Sequence, residues 1–262
     1  MKRAYIIIFC CAAIAVASAF IPGKSTGPVS GPVDSLLVVS DPDSLSHTTI
    51  QYEGFTVTFD PARHQPAFVA WEVDSAKADA NSADRKNARF QPDKNTDGCA
   101  TLADYRRSGY DRGHMAPAAD MKWSTQAMAD CHYLTNICPQ DNALNGGPWA
   151  TVEKNTRLWT HRHDTLYIVA GPVLGDIMTD TIGESRIPVP ERFFKVIIAP
   201  YADPPMGIAF LMPNHPFDGG AQATVTSIDN IEAITGYDFF SALPDDVELY
   251  IEQQQTLAPW NH

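Results

Sequence analysis

"DRGHMAPAADMKWSTQAMADCHYLTNICPQDNALNGGPWATVEKNTR" (Asp111–Arg157) decides how this chain is to be read. It sets one histidine, His114, beside Arg112 and Gly113, with no second His or Cys near enough in sequence to complete a zinc site. An isolated His is by default a structural residue. Its company shifts the reading: Asn136, Gln140 and Asn145 follow, and Glu153 stands eight residues after Asn145. On a helix starting near Asn145, positions i, i+4 and i+8 share one broad face, so Asn145, Trp149 and Glu153 point the same way and offer an Asn/Glu pair to a hydrated cation. Gly113 is expected to turn the chain so that Arg112 and His114 enter one cleft, or to make an ordinary strand-end turn.

Outward from this stretch, turn residues bound apolar runs rich in β-branched and aromatic side chains at 50–59, 67–73, 165–171, 193–199 and 207–212. These predict strands. Helices are predicted after Ser124 as N-cap, from Pro148 at a first helical position, and over 227–236, where Gly236 serves as C-cap. Strands and helices do not alternate regularly, so the expected class is α+β with a mainly antiparallel sheet.

The 262 residues have ordinary globular composition, 44% hydrophobic and 19% charged, which suits one domain. Met1-Lys2-Arg3, an apolar run to Val16 and Ala17-Ser18-Ala19 read as a secretory signal over 1–19. A lipid anchor on Cys10 or Cys11 is the lesser alternative. The apolar run is too short to leave a spanning helix in the mature chain, which is expected in the periplasm or outside the cell. Residues 20–47, rich in Gly, Pro and Ser at their start, read as a flexible linker, and 48–262 as the folded domain. Export would leave Cys99, Cys131 and Cys138, enough for at most one internal bridge.

Net charge is −12, or −14 once Lys2 and Arg3 are removed, so the overall field does not attract polyanions. Residues 85–122 nevertheless hold eight Lys/Arg against five Asp. On charge alone this is a solvated face. His161 and His163 lack a third and fourth partner for zinc. Asp245 and Asp246 read as the acidic first turn of a helix, and Trp123, Trp149 and Trp159 as packing residues.

Together, the Asp-Arg-Gly-His core, "NICPQDNALN" and the Glu eight residues later resemble the DNA/RNA non-specific endonucleases, the family of secreted bacterial sugar-non-specific nucleases and mitochondrial endonuclease G. The likeness runs from about Gln51 to Ile251, through "YIVAGPV", "IPVPERFFKV", "AFLMPN" and "TGYDFFSALPDDVE". It implies a ββα-metal finger on a six-stranded α+β domain, and one divalent ion, Mg2+ or in its place Mn2+ or another. His114 is then the general base, Asn145 the direct metal ligand and Glu153 a holder of metal-bound water. Arg112 becomes a phosphate contact, with Asn136, Gln140 and Asp111 in support. An upstream Arg beside an aromatic is also implied, and Arg89 before Phe90 is the candidate, with Arg85 or a structural salt bridge as alternatives.

The implied activity is hydrolysis of DNA and RNA with little base preference and 5′-phosphate products, by a monomer or homodimer. An inactive nucleic-acid-binding module of the same fold and a small-molecule phosphodiesterase are the competing readings. The chemistry is coherent in itself. A phosphodiester attacked by water needs a base and positive charge. An imidazole free of metal supplies the first, while an oxygen-held Mg2+ and a guanidinium supply the second.

Overall fold

The computed structural model describes residues 35–175 and 180–261. The expected signal, 1–19, and the linker up to residue 34 lie outside the described residues. Strands run in chain order as β1 (Thr48–Gln51), β2 (Thr56–Asp60), β3 (Gln65–Val73), β4 (Asp111–His114), β5 (Ile137–Gln140), β6 (Leu166–Val173), β7 (Thr181–Ile182), β8 (Ile187–Pro188), β9 (Arg192–Ala199), β10 (Met206–Pro213) and β11 (Val225–Thr226). The helices are α1 (Ser75–Asp79), α2 (Leu102–Tyr105), α3 (Thr125–Asp130), α4 (Asn142–Leu144), α5 (Ala150–His163), α6 (Ile228–Thr235) and α7 (Asp245–Glu252).

Among the described residues the main sheet has seven strands in the order β1-β2-β3-β6-β9-β10-β11, one more than the family resemblance implied. Its neighbours are antiparallel throughout. The class is therefore α+β with a central antiparallel sheet.

Both faces of this sheet are buried. In β3, Val69, Trp71 and Val73 enter one core while Phe68 and Ala70 enter the other, as the two-residue period of a strand requires. β9 splits likewise, with Phe193 and Ile197 on the first face and Phe194, Val196 and Ile198 on the second. α5 supplies Val152 and Trp159, β5 Cys138, and the residue after β4, Met115, to the first core; α6 supplies Ile228 and Ile231 to the second. Glu72 is the half-buried exception in β3 and accepts from Lys77 Nζ at 2.7 Å.

The predicted strands all form, but the run 50–59 is a hairpin. Tyr52 N–H donates to Phe55 O at 2.9 Å, closing a turn between β1 and β2. Gly54 sits in that turn against Met121, where a Cβ would lie 2.5 Å from its sulfur. Ser124 caps α3 by accepting from Gln126 and Ala127 N–H, and Gly236 ends α6 in the left-handed conformation at φ 75°. Asp245 and Asp246 do open a helix, α7.

One boundary differs from expectation. Order does not wait for Thr48: Leu36 is buried in the second core, Leu37 and Val39 pack against it, and Ser40 pairs with Asp238. The Gly/Pro/Ser-rich composition ends before "SLLVV", whose apolar side chains have a core to join. Cys99, Cys131 and Cys138 are all free thiols, so the single bridge their number allowed is not formed.

Candidate active site

β4 and β5 pair as a two-stranded unit on the first face of the sheet, with Asp111 opposite Gln140 and His114 opposite Ile137. Strand periodicity alone sends Arg112 and His114 to one side. Gly113 makes no turn. It lies within β4, where a Cβ would stand 2.3 Å from Gln140 Oε1 and 2.6 Å from Gln140 Cβ, so a glycine is required by close packing. Gln140 is fully buried over it.

Beyond His114 the chain is held by Asn136, also fully buried. Its Oδ1 accepts from Ala116 N–H at 2.9 Å, and its Nδ2 donates to the carbonyls of Ala116 and Cys131, each at 2.9 Å. Asn136 thus positions the loop that leaves β4. Trp149 Nε1 donates to the His114 carbonyl at 3.2 Å, tying the entrance of α5 to the strand.

His114 is 8% exposed and stands against the Phe90 ring at 5.1 Å. The Arg112 guanidinium lies 4.3 Å over the same ring. Burial, then the neighbouring His132, Arg85 and Arg112, push the His114 pKa well below its ordinary value. Near neutral pH the imidazole is uncharged and can accept a proton. No described group hydrogen-bonds to its buried Nε2.

Of the two candidates for the upstream guanidinium, Arg85 is the one whose charge reaches His114. Its charge also acts on His132 and Glu153. Arg89 instead donates to the Lys86 and Ala88 carbonyls, the latter at 2.8 Å. The reason is local. Ala88 is extended, and neighbours in an extended run face opposite ways, so Phe90 turning inward onto His114 turns Arg89 outward. Arg85, Lys86 and Lys122 also line one shallow depression with Asn81 and Asp84.

At the other end of β4, Asp111 Oδ2 accepts from Asn145 Nδ2 at 2.9 Å and from Asn142 Nδ2 at 3.0 Å. A carboxylate only accepts, so the Asn145 amide must turn its nitrogen to Asp111 and keep its oxygen for another partner. An amide oxygen with a carboxylate eight residues on, in the first turn of α5, is the donor chemistry magnesium prefers. These residues fit the implied ion.

The helix face expected from Asn145 is broken, however. Residues 145–149 form a wide π turn with Gly147 at φ −114°, ψ −110°, and regular α5 starts at Ala150. Trp149 consequently enters the core at 1% exposure, while Glu153 stays half-buried one turn into α5. Burial pushes the Glu153 pKa up to about 7, against the lowering effect of Lys195. Asp120 raises it further, and Arg157 opposes that.

Lys195 is itself 1% exposed, its Nζ lying 4.1 Å over Trp149 and 5.2 Å over Trp71. Asp120 accepts from Arg157 at 2.7 Å and from Trp71 Nε1 at 3.0 Å. Sequence reasoning missed this layer. The signal was available as a lysine inside "RFFKVIIA", where a charge on a fully buried strand needs a purpose.

Cys131 and His132 were missed as well, and the expectation that His114 has no His or Cys neighbours is wrong in space. The loop through α3 returns to the strand: Gln91 N–H donates to His132 O at 3.1 Å and Leu134 N–H to Gln91 O at 2.9 Å. His132 thereby meets both Phe90 and His114 at ring separations of 5.1 Å. No short sequence spacing signals it. His161 and His163 do not make a zinc pair: His161 faces Asp79 at 3.3 Å and His163 packs on Trp260.

The model of the DNA/RNA non-specific endonuclease family matches residues 34–246 of this chain. The chain is similar to the mitochondrial nuclease EXOG of Xenopus laevis, with 35% identity over 75% of this chain and 59% of that protein. It is similar to human mitochondrial endonuclease G, with 32% identity over 70% of this chain and 66% of the relative. It spans less than two thirds of the length of these relatives. A chain in the crystal structure of the EndoG/EndoGI complex superposes with TM-score 0.71 at 26% identity, covering 75% of this chain and 86% of that one.

The crowding at Gly113 generates a direct expectation. Gly113→Ala forces Gln140 and β5 away from β4 and lowers unfolding free energy by about 1–3 kcal/mol in denaturant titration. Wild-type stability in that variant would contradict the packing described.

Proposed function

The chain belongs to the DNA/RNA non-specific endonuclease family, and we propose that it is itself a divalent-metal-dependent endonuclease that hydrolyses DNA and RNA with little sequence preference. The observation that carries this reading is a neutral, buried His114 and an outward amide oxygen on Asn145 fixed at opposite ends of one short strand.

In this reading His114 takes the proton from the attacking water. It can do so because its surroundings disfavour the imidazolium: apolar burial, a second imidazole and two guanidiniums. Arg112 and Arg85 contact the scissile phosphate. Phe90 holds the Arg112 guanidinium over its ring at 4.3 Å, which reduces the rotamer freedom to be lost on binding. Asn145 Oδ1 would hold Mg2+ directly and Glu153 through water, and the ion would supply positive charge for the phosphate and the leaving 3′ oxygen. A neutral amide ligand leaves that charge unspent.

Asp111 keeps the amide turned, and the Lys195–Asp120–Arg157 layer sets the charge beneath Glu153. Contacts to phosphate carry no base information, so specificity is low and binding weakens with salt. The products carry 5′-phosphates. We further propose that the cationic and apolar start of the chain targets it for export, to the periplasm or beyond. Among the described residues no helix is long and apolar enough to cross a membrane.

Purified protein is expected to nick plasmid and degrade RNA with Mg2+ and to stop with EDTA, and His114→Ala to lose roughly 10²- to 10⁴-fold in rate. Metal-independent cleavage, or none of either substrate, would contradict the proposal. Arg85→Ala should lower kcat/KM by at least about tenfold, one strong phosphate contact, whereas Arg89→Ala leaves it near wild type; the reverse order restores Arg89.

Glu153 adds a pH dependence. A carboxyl raised to about 7 loses its charge as pH falls through that value, so the Mg2+ needed for half-maximal rate should rise from pH 8 to pH 6. Glu153→Gln, which cannot titrate, should need more Mg2+ and show a flatter dependence over the same range. An unchanged slope in that variant would remove Glu153 from the ion's surroundings.

A further inference from the structure

His114 is not the solitary imidazole its sequence context suggests. Ligand-capable atoms of His114, Cys131 and His132 all lie within 4.8 Å of one another, and all three side chains are buried. We propose that these three residues form a second ion site, distinct from the Asn145 oxygen site, which takes a thiophilic ion such as Zn2+ and silences the enzyme when filled. The inhibitory part rests on the reading of His114 as general base; the binding part does not.

One ring nitrogen of His132 is already engaged, which leaves the other as the ligand. Its Nδ1 lies 2.8 Å from the Met128 carbonyl, which can only accept, so the proton is on Nδ1 and Nε2 carries the lone pair. Metal-binding histidines are commonly oriented by this second bond to a carbonyl. The Cys131 thiol donates to the same carbonyl at 3.2 Å and lies 3.3 Å from His132 Nδ1. His114 contributes a buried Nε2 with no hydrogen-bond partner among the described residues. Such an orphaned nitrogen is costly unless something is there to receive it.

The donor set selects the ion. Two imidazoles and a thiol suit zinc, with bonds of about 2.0–2.3 Å and an open fourth position, and suit magnesium poorly. Ligand atoms around such an ion are roughly 3.5 Å apart, so the trio must contract by about 1 Å. On binding, the Cys131 S–H bond breaks, a Zn–S bond forms and one proton leaves to solvent. No electron is transferred. The thiolate also offsets part of the ion's charge beside Arg85 and Arg112.

The consequence for catalysis does not depend on which His114 nitrogen binds. An imidazole coordinated through one nitrogen keeps its proton on the other, and so has no lone pair left to accept a proton from water. Nothing in this site competes with Asn145, so added Mg2+ should not relieve the block.

Co2+, a spectroscopic substitute for zinc, tests binding without reference to nuclease activity. The full chain should develop a near-ultraviolet thiolate-to-cobalt band at one equivalent, which Zn2+ abolishes. Cys131→Ala and the near-isosteric Cys131→Ser, each checked for native circular dichroism, should lack it. In excess Mg2+, Zn2+ should inhibit wild type, and Cys131→Ala should need at least tenfold more for the same inhibition. A missing band in wild type, or the same band in a folded Cys131 variant, overturns the site. A cobalt band with equal zinc sensitivity in both proteins, or inhibition relieved by Mg2+, overturns the inhibitory role. If the chain cleaves no nucleic acid at all, the cobalt result still decides the site.

Discussion

Two hydrogen bonds join the ends of β4 to the segment that starts α5, and the site depends on them. At one end Asp111 accepts from Asn145 Nδ2; at the other Trp149 Nε1 donates to the His114 carbonyl. Between these ties the four-residue strand has little freedom to slide or tilt. One bond leaves the Asn145 amide oxygen for another partner, and the other fixes the backbone of His114. The wide turn at 145–149 is what lets one short segment satisfy both, because a regular α-helix would carry Asn145 and Trp149 on the same side. Here Trp149 plunges into the core while Asn145 stays at the edge.

Beneath this module lies a charge layer that an apolar core could not tolerate unless each member were answered. Lys195, 1% exposed on the sheet, rests on the faces of Trp149 and Trp71; Asp120 receives Arg157 and Trp71 Nε1. Removing one partner would leave the others buried and uncompensated, which typically costs about 3–5 kcal/mol. The layer faces Glu153, so the carboxylate most exposed to the proposed ion is tuned from below by residues that never touch it. Positive charge is local in an acidic chain: Arg85, Lys86 and Lys122 line one depression while the overall net charge stays negative.

Much of this was legible in the sequence. Short apolar runs between turn residues located the long strands, Ser124 and Gly236 marked helix ends, and the resemblance of the Asp111–Arg157 stretch pointed to the family. What sequence hid is what folding back creates. His132 stands beside His114 only because residues 91 and 132–134 pair across a long loop. Arg89 stands next to Phe90 in sequence, yet its guanidinium is held by backbone carbonyls, while the charge of Arg85 reaches His114. Gly113 looked like a turn residue and is a packing residue. The early start of order at Leu36 was masked by the spacer-like composition just before it.

Anomalous scattering from a crystal equilibrated with Mn2+ would test the central claim most directly. A single strong peak is expected within coordination distance of Asn145 Oδ1, with the His114 ring uncoordinated and free to act as base. A manganese peak on the His114 nitrogens, or none near Asn145, would contradict it.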